Sequence, residues 1–215
     1  MANCCFYDME VIGNKVDIER LISIMKYEDS EYYLYRIREV EVADIEEWKN
    51  GLHVAHIFGE VAWSSEPWIE CESFGTIDED GRIFTSMMTI TKELNLAVEW
   101  FTEECGNCFA EHFAVCKGKI TARDYAYLSE PSYEVGDKED YRDGTKEEIL
   151  EEITESHRDE LGDDFDEFIE QVKGALDRTG YVYIRIGGYD PVFDLDALWD
   201  GKDVHKESTP FYVED

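Results

Sequence analysis

The sequence predicts an α+β domain with a split β-α-β core, extra antiparallel strands and an acidic helical insertion. Three observations carry this. Strand-like and helix-like hydrophobic periods alternate through residues 4–127. A run after Pro131 is densely charged yet keeps helical spacing. And 43% of the 215 residues are apolar and 13% aromatic, enough for a packed core rather than a disordered acidic chain.

Residues 4–12 (CCFYDMEVI) read as a strand closed by Gly13-Asn14. Ile18, Leu21, Ile22 and Met25 recur at helical spacing, so residues 16–26 read as a helix. Tyr32 to Val42 and Leu52 to Trp63 read as two strands, with Gly51 in the turn between them and Gly59 at a bulge. Asp78-Glu79-Asp80-Gly81 is a turn signal, and Ile83, Met87, Ile90 and Leu94 after it give a second helix. Asn95 to Thr102 returns to a strand. Phe109–Val115 and Ile120–Tyr127 form a hairpin turned at Lys117-Gly118. The order β-α-β-β-α-β-β-β is that of a ferredoxin-like split unit extended by antiparallel strands.

Between Glu134 and Glu170 there are 17 acidic and 4 basic residues, a local net charge of −13. The grammar is nevertheless helical. Thr145 with Glu148 makes a capping box, and Ile149 and Ile153 are spaced by four. Gly162 breaks the helix and Asp163 or Asp164 caps a second one, whose apolar stripe is Phe165, Phe168, Ile169, Val172 and Leu176. Gly180 ends it, Tyr181 to Ile186 reads as a final strand, and Gly187-Gly188 as a turn. The expected organisation is a ferredoxin-like α+β domain over residues 1–130, an acidic helical segment over 131–180, and a final strand and acidic tail over 181–215 packed on the core.

The whole chain carries 52 Asp and Glu against 20 Lys and Arg, a formal net charge of −32. Such a field repels nucleic acid and anionic membranes and attracts basic protein surfaces. No apolar run reaches the ~18 residues of a membrane span. Met1-Ala2-Asn3-Cys4-Cys5 lacks the basic start and apolar core of a signal peptide, and six cysteines without one suit a reducing compartment. The expectation is a cytoplasmic protein of a bacterial host cell.

Among motifs that could carry chemistry, Cys105, Cys108, His112 and Cys116 come nearest to a zinc set. On a strand, however, the span from Cys108 to Cys116 forces the ligands too far apart, since residues advance ~3.3 Å each. Small core or turn cysteines are the better reading, and no metal or cofactor is expected. His53 and His56 are three apart and face opposite sides of a strand, while His157 reads as a solvated residue. Glu103-Glu104 and Asp163-Asp164 are carboxylate pairs of a kind that 52 acids produce by chance. No catalytic signature is present, so the chain is expected not to be an enzyme.

Met1-Ala2-Asn3-Cys4-Cys5, the strand ending Ile12-Gly13 and the helix opening at Asp17-Ile18 resemble the start of the YubB-type ferredoxin-like proteins of phages, plasmids and bacteria. Phe58 to Ser64 (FGEVAWS), Val98 to Glu104 (VEWFTEE) and Phe109 to Phe113 (FAEHF) are similar to it as well. The resemblance covers about the first 130 residues. It implies an α+β core and a mobile-element context, and it implies no activity or catalytic residues.

These readings converge on a non-enzymatic, nucleic-acid-mimicking inhibitor that binds the basic groove of a nucleic-acid-handling protein, most concretely an anti-CRISPR or anti-restriction protein. Carboxylates three and four apart on a helix repeat every ~5–6 Å, close to the spacing of phosphates along a strand. The expected partner-binding row is Glu147, Glu148, Glu151, Glu152 and Glu155, continued by Asp159, Glu160, Asp163, Asp164, Asp166, Glu167 and Glu170. Tyr133, Tyr141 and Phe165 are the expected aromatic anchors. The partner would be a basic nucleic-acid-binding protein such as a CRISPR effector, with no direct contact to nucleic acid or membrane. The oligomeric state is left open. The alternatives are a general acidic interaction module and a carboxylate- and metal-dependent enzyme.

Overall fold

The computed structural model describes residues 4–104, 109–128, 131–136, 142–189, 191–206 and 212–214, with side chains at 127, 142, 143, 160, 212 and 214 set aside. In chain order the elements are β1 (Cys4–Gly13), α1 (Lys15–Met25), β2 (Tyr32–Tyr33), β3 (Ile37–Glu47), β4 (His53–Ala62), β5 (Ile83–Phe84), α2 (Met87–Glu93), β6 (Ala97–Glu104), β7 (Phe109–Cys116), β8 (Lys119–Tyr127), β9 (Ser132–Val135), β10 (Arg142–Gly144), α3 (Lys146–Leu161), α4 (Phe165–Thr179), β11 (Tyr181–Arg185), α5 (Leu195–Trp199) and β12 (Tyr212–Glu214). They divide between two compact units. One comprises residues 1–126 and 189–207, the other 127–188 and 208–215.

The first unit is built on a six-stranded sheet in the order β3-β4-β1-β6-β7-β8. β1 runs antiparallel to both β4 and β6, β3 antiparallel to β4, and β7 antiparallel to β6. The β1-α1-β3 and β4-α2-β6 connections therefore each return parallel, which needs a crossover and explains why a helix lies in each. Period-2 alternation sends Tyr7, Met9, Val11, Ala55, Ile57, Val98, Trp100, Phe113 and Val115 to one face. There they form a core with Ile18, Leu21 and Met25 of α1 and with Met87 and Ile90 of α2. The other face carries Ile12, Ala97, Ala114 and Cys116, covered by Leu198 of α5 and by Val204.

The α+β class is that expected, and several details differ. The strand read over Tyr32–Val42 is two pieces, because the chain turns at Arg36 with φ of 69°. The helix read from Ile83 begins only at Met87. Its N-cap is Ser86, whose hydroxyl accepts from the Thr89 N–H, while Ile83-Phe84 pairs in parallel with Tyr32-Tyr33. Gly59 is not itself bulged. The irregularities lie in β3, between Ile37 and Glu39 and between Val42 and Asp44. Gly59 is instead the point of closest approach: a Cβ there would lie 2.2 Å from the Glu39 carbonyl oxygen, which accepts the Tyr7 hydroxyl at 3.0 Å.

The second unit is a four-stranded sheet in the order β10-β9-β11-β12 with α3 and α4 packed against it. Its core is Tyr133, Ile149, Ile153, Phe165, Phe168, Val172, Leu176, Val182 and Ile184. Two boundaries read from composition therefore shift. The acidic segment brings its own sheet, and the strand Tyr181–Arg185 joins that sheet through β9, because its alternating Val182 and Ile184 complete the apolar floor of the same core. The tail contributes α5 to the first unit and β12 to the second.

Candidate functional site

The acidic surface of the second unit follows from helical period alone. At about 100° per residue, Glu147, Glu151, Glu155, Glu148, Asp159 and Glu152 fall within an arc of about 140° on α3. Ile149, Ile153, His157 and Leu161 fill the opposite arc and are buried, while the six acids are exposed. On α4, Asp166, Asp177, Glu170 and Glu167 share an exposed arc of about 100°, opposite Phe165, Phe168, Ile169, Val172 and Leu176. Asp163 and Asp164 are exposed in the short turn joining the helices. The carboxylates are thus sorted to one side of a folded hairpin by the same apolar stripes that dock it.

The capping box sets the start of α3. Thr145 Oγ1 accepts from the Glu148 N–H at 3.3 Å, and the Glu148 carboxylate accepts from the Thr145 N–H at 2.8 Å. These bonds from the Thr145 backbone and hydroxyl hold the Glu148 carboxyl below its ordinary range. Glu148 is thereby committed to the helix start, where a negative charge also meets the positive end of the helix dipole. Basic residues in the two helices are engaged locally. Lys146 pairs with Asp177, Lys173 with Glu170 at 2.6 Å, and the Arg158 guanidinium lies 5.0 Å from the Phe165 ring centroid.

Two of the expected anchors are not available to a partner. Tyr133 is 1% exposed and belongs to the core of its unit, because β9 turns it under α3 and α4. Phe165 is also buried, as the first residue of the α4 stripe. Tyr141 and the Glu160 side chain lie outside the described residues, as do Cys105 and Cys108. His157, read as solvated, is buried on the inner arc of α3 and meets Phe168 edge-on at 6.2 Å.

His112 has a role that motif spacing did not suggest. It is fully buried on β7, with Nε2 2.9 Å from Glu99 Oε1 of β6 and Nδ1 2.8 Å from Asp124 Oδ2 of β8. Phe101 stacks on its ring at 4.4 Å. Asp124 also takes the His205 ring and the Lys206 N–H, so the cluster fastens the segment after α5 to the sheet. Burial pushes the Asp124 carboxyl up, but its bonds from His205, His112 and Lys206 outweigh this and hold it below the ordinary value. With both ring nitrogens facing carboxylates, His112 has no lone pair turned toward a metal. Cys116 points its thiol at the Trp199 carbonyl, 3.5 Å away, and burial pushes that thiol up. Among the described residues no group of three or more His, Cys, Asp or Glu has the geometry of a metal site.

Glu111, on the opposite face of β7, is a second buried carboxyl. It accepts from Ser64, from the Ser65 N–H and from the Ser65 hydroxyl, and burial nevertheless raises it. These bonds tie the loop after β4 to the sheet. Among the described residues no helix is long and apolar enough to cross a membrane. Comparison of the chain with protein-family models, with curated proteins and with solved structures finds no match to any of them.

Proposed function

We propose that the chain is a non-enzymatic inhibitor or modulator that presents a folded acidic surface to the basic groove of a nucleic-acid-handling protein. The observation that carries this reading is the sorting of the α3 and α4 carboxylates onto one exposed arc per helix, opposite the buried stripes. A disordered acidic run would offer the same charge without geometry. A folded one offers it at fixed spacing, ~5–6 Å along each helix. Long-range attraction would speed encounter, and the basic groove would be occupied in place of nucleic acid. An anti-CRISPR or anti-restriction protein acting in the bacterial cytoplasm is the most concrete form. The core is read, in the same way, as a ferredoxin-like split β-α-β unit of the YubB type. The order β1-α1-β3-β4-α2-β6, with β1 between β4 and β6, supports that reading.

The test is a pull-down from bacterial lysate with tagged full-length chain, treated with nuclease, followed by competition with DNA or RNA. The expected result is capture of a nucleic-acid enzyme that added nucleic acid displaces. Capture that nucleic acid leaves unchanged would replace mimicry with a general acidic interaction module. Substoichiometric, catalytic action on a captured partner would overturn the non-enzymatic reading.

A further inference from the structure

We infer that the open half of the outer sheet face, across β3, β4 and β1, is a second docking surface, one that takes arginine-bearing segments of a basic protein partner. The strand register sets its composition. One row across the three strands reads Asp44, His56, Glu10, and the next reads Glu41, Phe58, Asp8. A third reads Glu39, Glu60, Phe6. None of these nine positions is a lysine or arginine.

The aromatic residues show that the face is unfinished. On β6 of the same face Phe101 is covered, with Tyr189 and Phe193 against it. Among the described residues Phe6 and Phe58 have no such cover, apart from the His56 ring 5.8 Å from Phe58: they are 61% and 37% exposed, although they stand on a sheet face among charges. Sheet-face aromatics of this kind mark contact surfaces. A second observation concerns the acids. Glu99 lies directly across from Glu10 on this face and is fully buried, yet its Oε2 meets no hydrogen-bond donor. Asp8 Oδ1, one step diagonally away, faces the His56 ring. His56 spans Asp8 and Glu10 at 3.4 and 3.0 Å, so one imidazole is shared between two carboxylates. Burial, with Asp8 and Asp44 adding to it, keeps the Glu10 carboxyl raised even so.

An excess of carboxylates over cations beside exposed aromatic rings fits one side chain best. A guanidinium offers five N–H donors in a plane and stacks on an aromatic face, whereas an ammonium is a hydrated point charge. The inference deepens the proposed function, since it rests on the partner being basic, and it adds a surface in the other compact unit.

The probes are nona-arginine and nona-lysine peptides, titrated into the full chain and read by calorimetry and by amide chemical shifts. The variants are F6A/F58A on the sheet face and E151K/E155K on α3. All four positions are exposed, and circular dichroism checks the fold. The expected result is that F6A/F58A weakens nona-arginine roughly tenfold, as loss of two exposed cation–π contacts would, and leaves nona-lysine within twofold. Shifts from nona-arginine should include the amides of β1 and β4. Equal loss for both peptides, no loss for either, or shifts confined to α3 and α4 would overturn the inference. If E151K/E155K is without effect while F6A/F58A weakens nona-arginine selectively, the sheet surface stands and the helical reading fails.

Discussion

His112 poses an accounting problem at the scale of single atoms. Its two ring nitrogens stand 2.9 Å from Glu99, which is fully buried, and 2.8 Å from Asp124, which is half-buried. Removing the ring takes the hydrogen-bond partner of Glu99 away in the interior, while Asp124 keeps His205 and the Lys206 N–H. H112A should therefore destabilise the first unit by about 1–3 kcal/mol, the cost of leaving a buried polar group without its partner. Urea unfolding of the variant checks this, and a change under ~0.5 kcal/mol, ordinary for a surface position, would show that the contacts are not formed. Asp124 gives a prediction in pH. Its folded value lies below its ordinary 3.8, so its contribution is present above about pH 4 and is lost as pH falls through the lowered value. D124N should cost about 1.5–3 kcal/mol at neutral pH, the worth of hydrogen bonds to a charged group. Its deficit against the parent chain should shrink below pH 4. Denaturant midpoints measured from pH 2.5 to pH 7 test the sign, and a constant offset would rule out the linkage.

Elements were legible where a period ran long enough to fix a face. The α4 stripe and the capping box of α3 are read directly from spacing, because five apolar positions or a Thr-x-x-Glu have few other uses. T145A removes that cap and should cost about 1 kcal/mol. Hydrogen exchange should accelerate in the first turn of α3 before anywhere in the six-stranded sheet. The burial of His157 was available by the same rule, since it shares an arc with Ile149 and Ile153, but the surrounding acids suggested solvent. Tyr133 misled for the same reason. β9 is only four residues long, too short for alternation to declare which side is buried. The turn at Arg36 and the start of α2 at Ser86 were hidden by apolar residues that continue on either side of them. The outer face of the sheet is a further step removed. Within Ile37–Glu47 the acids at 39 and 41 fall out of step with those at 44 and 46 across the irregularity between Val42 and Asp44, and the rows that join Asp44 to Glu10 depend on strand order, which one strand cannot reveal. Gly59 belongs to this class too. G59A would drive a Cβ into the Glu39 carbonyl, and that clash involves backbone and not a flexible side chain, so β3 must shift.

For the whole molecule, a net charge of −32 acts on stability and binding with opposite signs. Self-repulsion among carboxylates opposes the folded state, and salt relieves it as the Debye length falls from about 30 Å at 0.01 M to about 8 Å at 0.15 M. Attraction to a basic partner is screened by the same ions. The thermal midpoint of the free chain should therefore rise over this salt range while affinity for the partner falls. E147K/E151K/E155K/D159K separates these effects. Each change adds two charges, so the four take the net from −32 to −24 without touching the buried arc of α3 or the cap at Glu148. If the acids serve partner recognition, the variant should be at least as stable as the parent at low salt, and should show a shallower gain with added salt. It should also lose affinity for the captured protein, with most of the loss in the association rate, because charge steers encounter more than it holds the final complex. A variant that gains stability and keeps its association rate would mean that the row on α3 is a solvated face. A variant that loses stability would mean that the acids of that arc are tied into the fold, as Lys146 is to Asp177 and Lys173 to Glu170. Stopped-flow association and thermal melts on one preparation, at two salt concentrations, read both signs together.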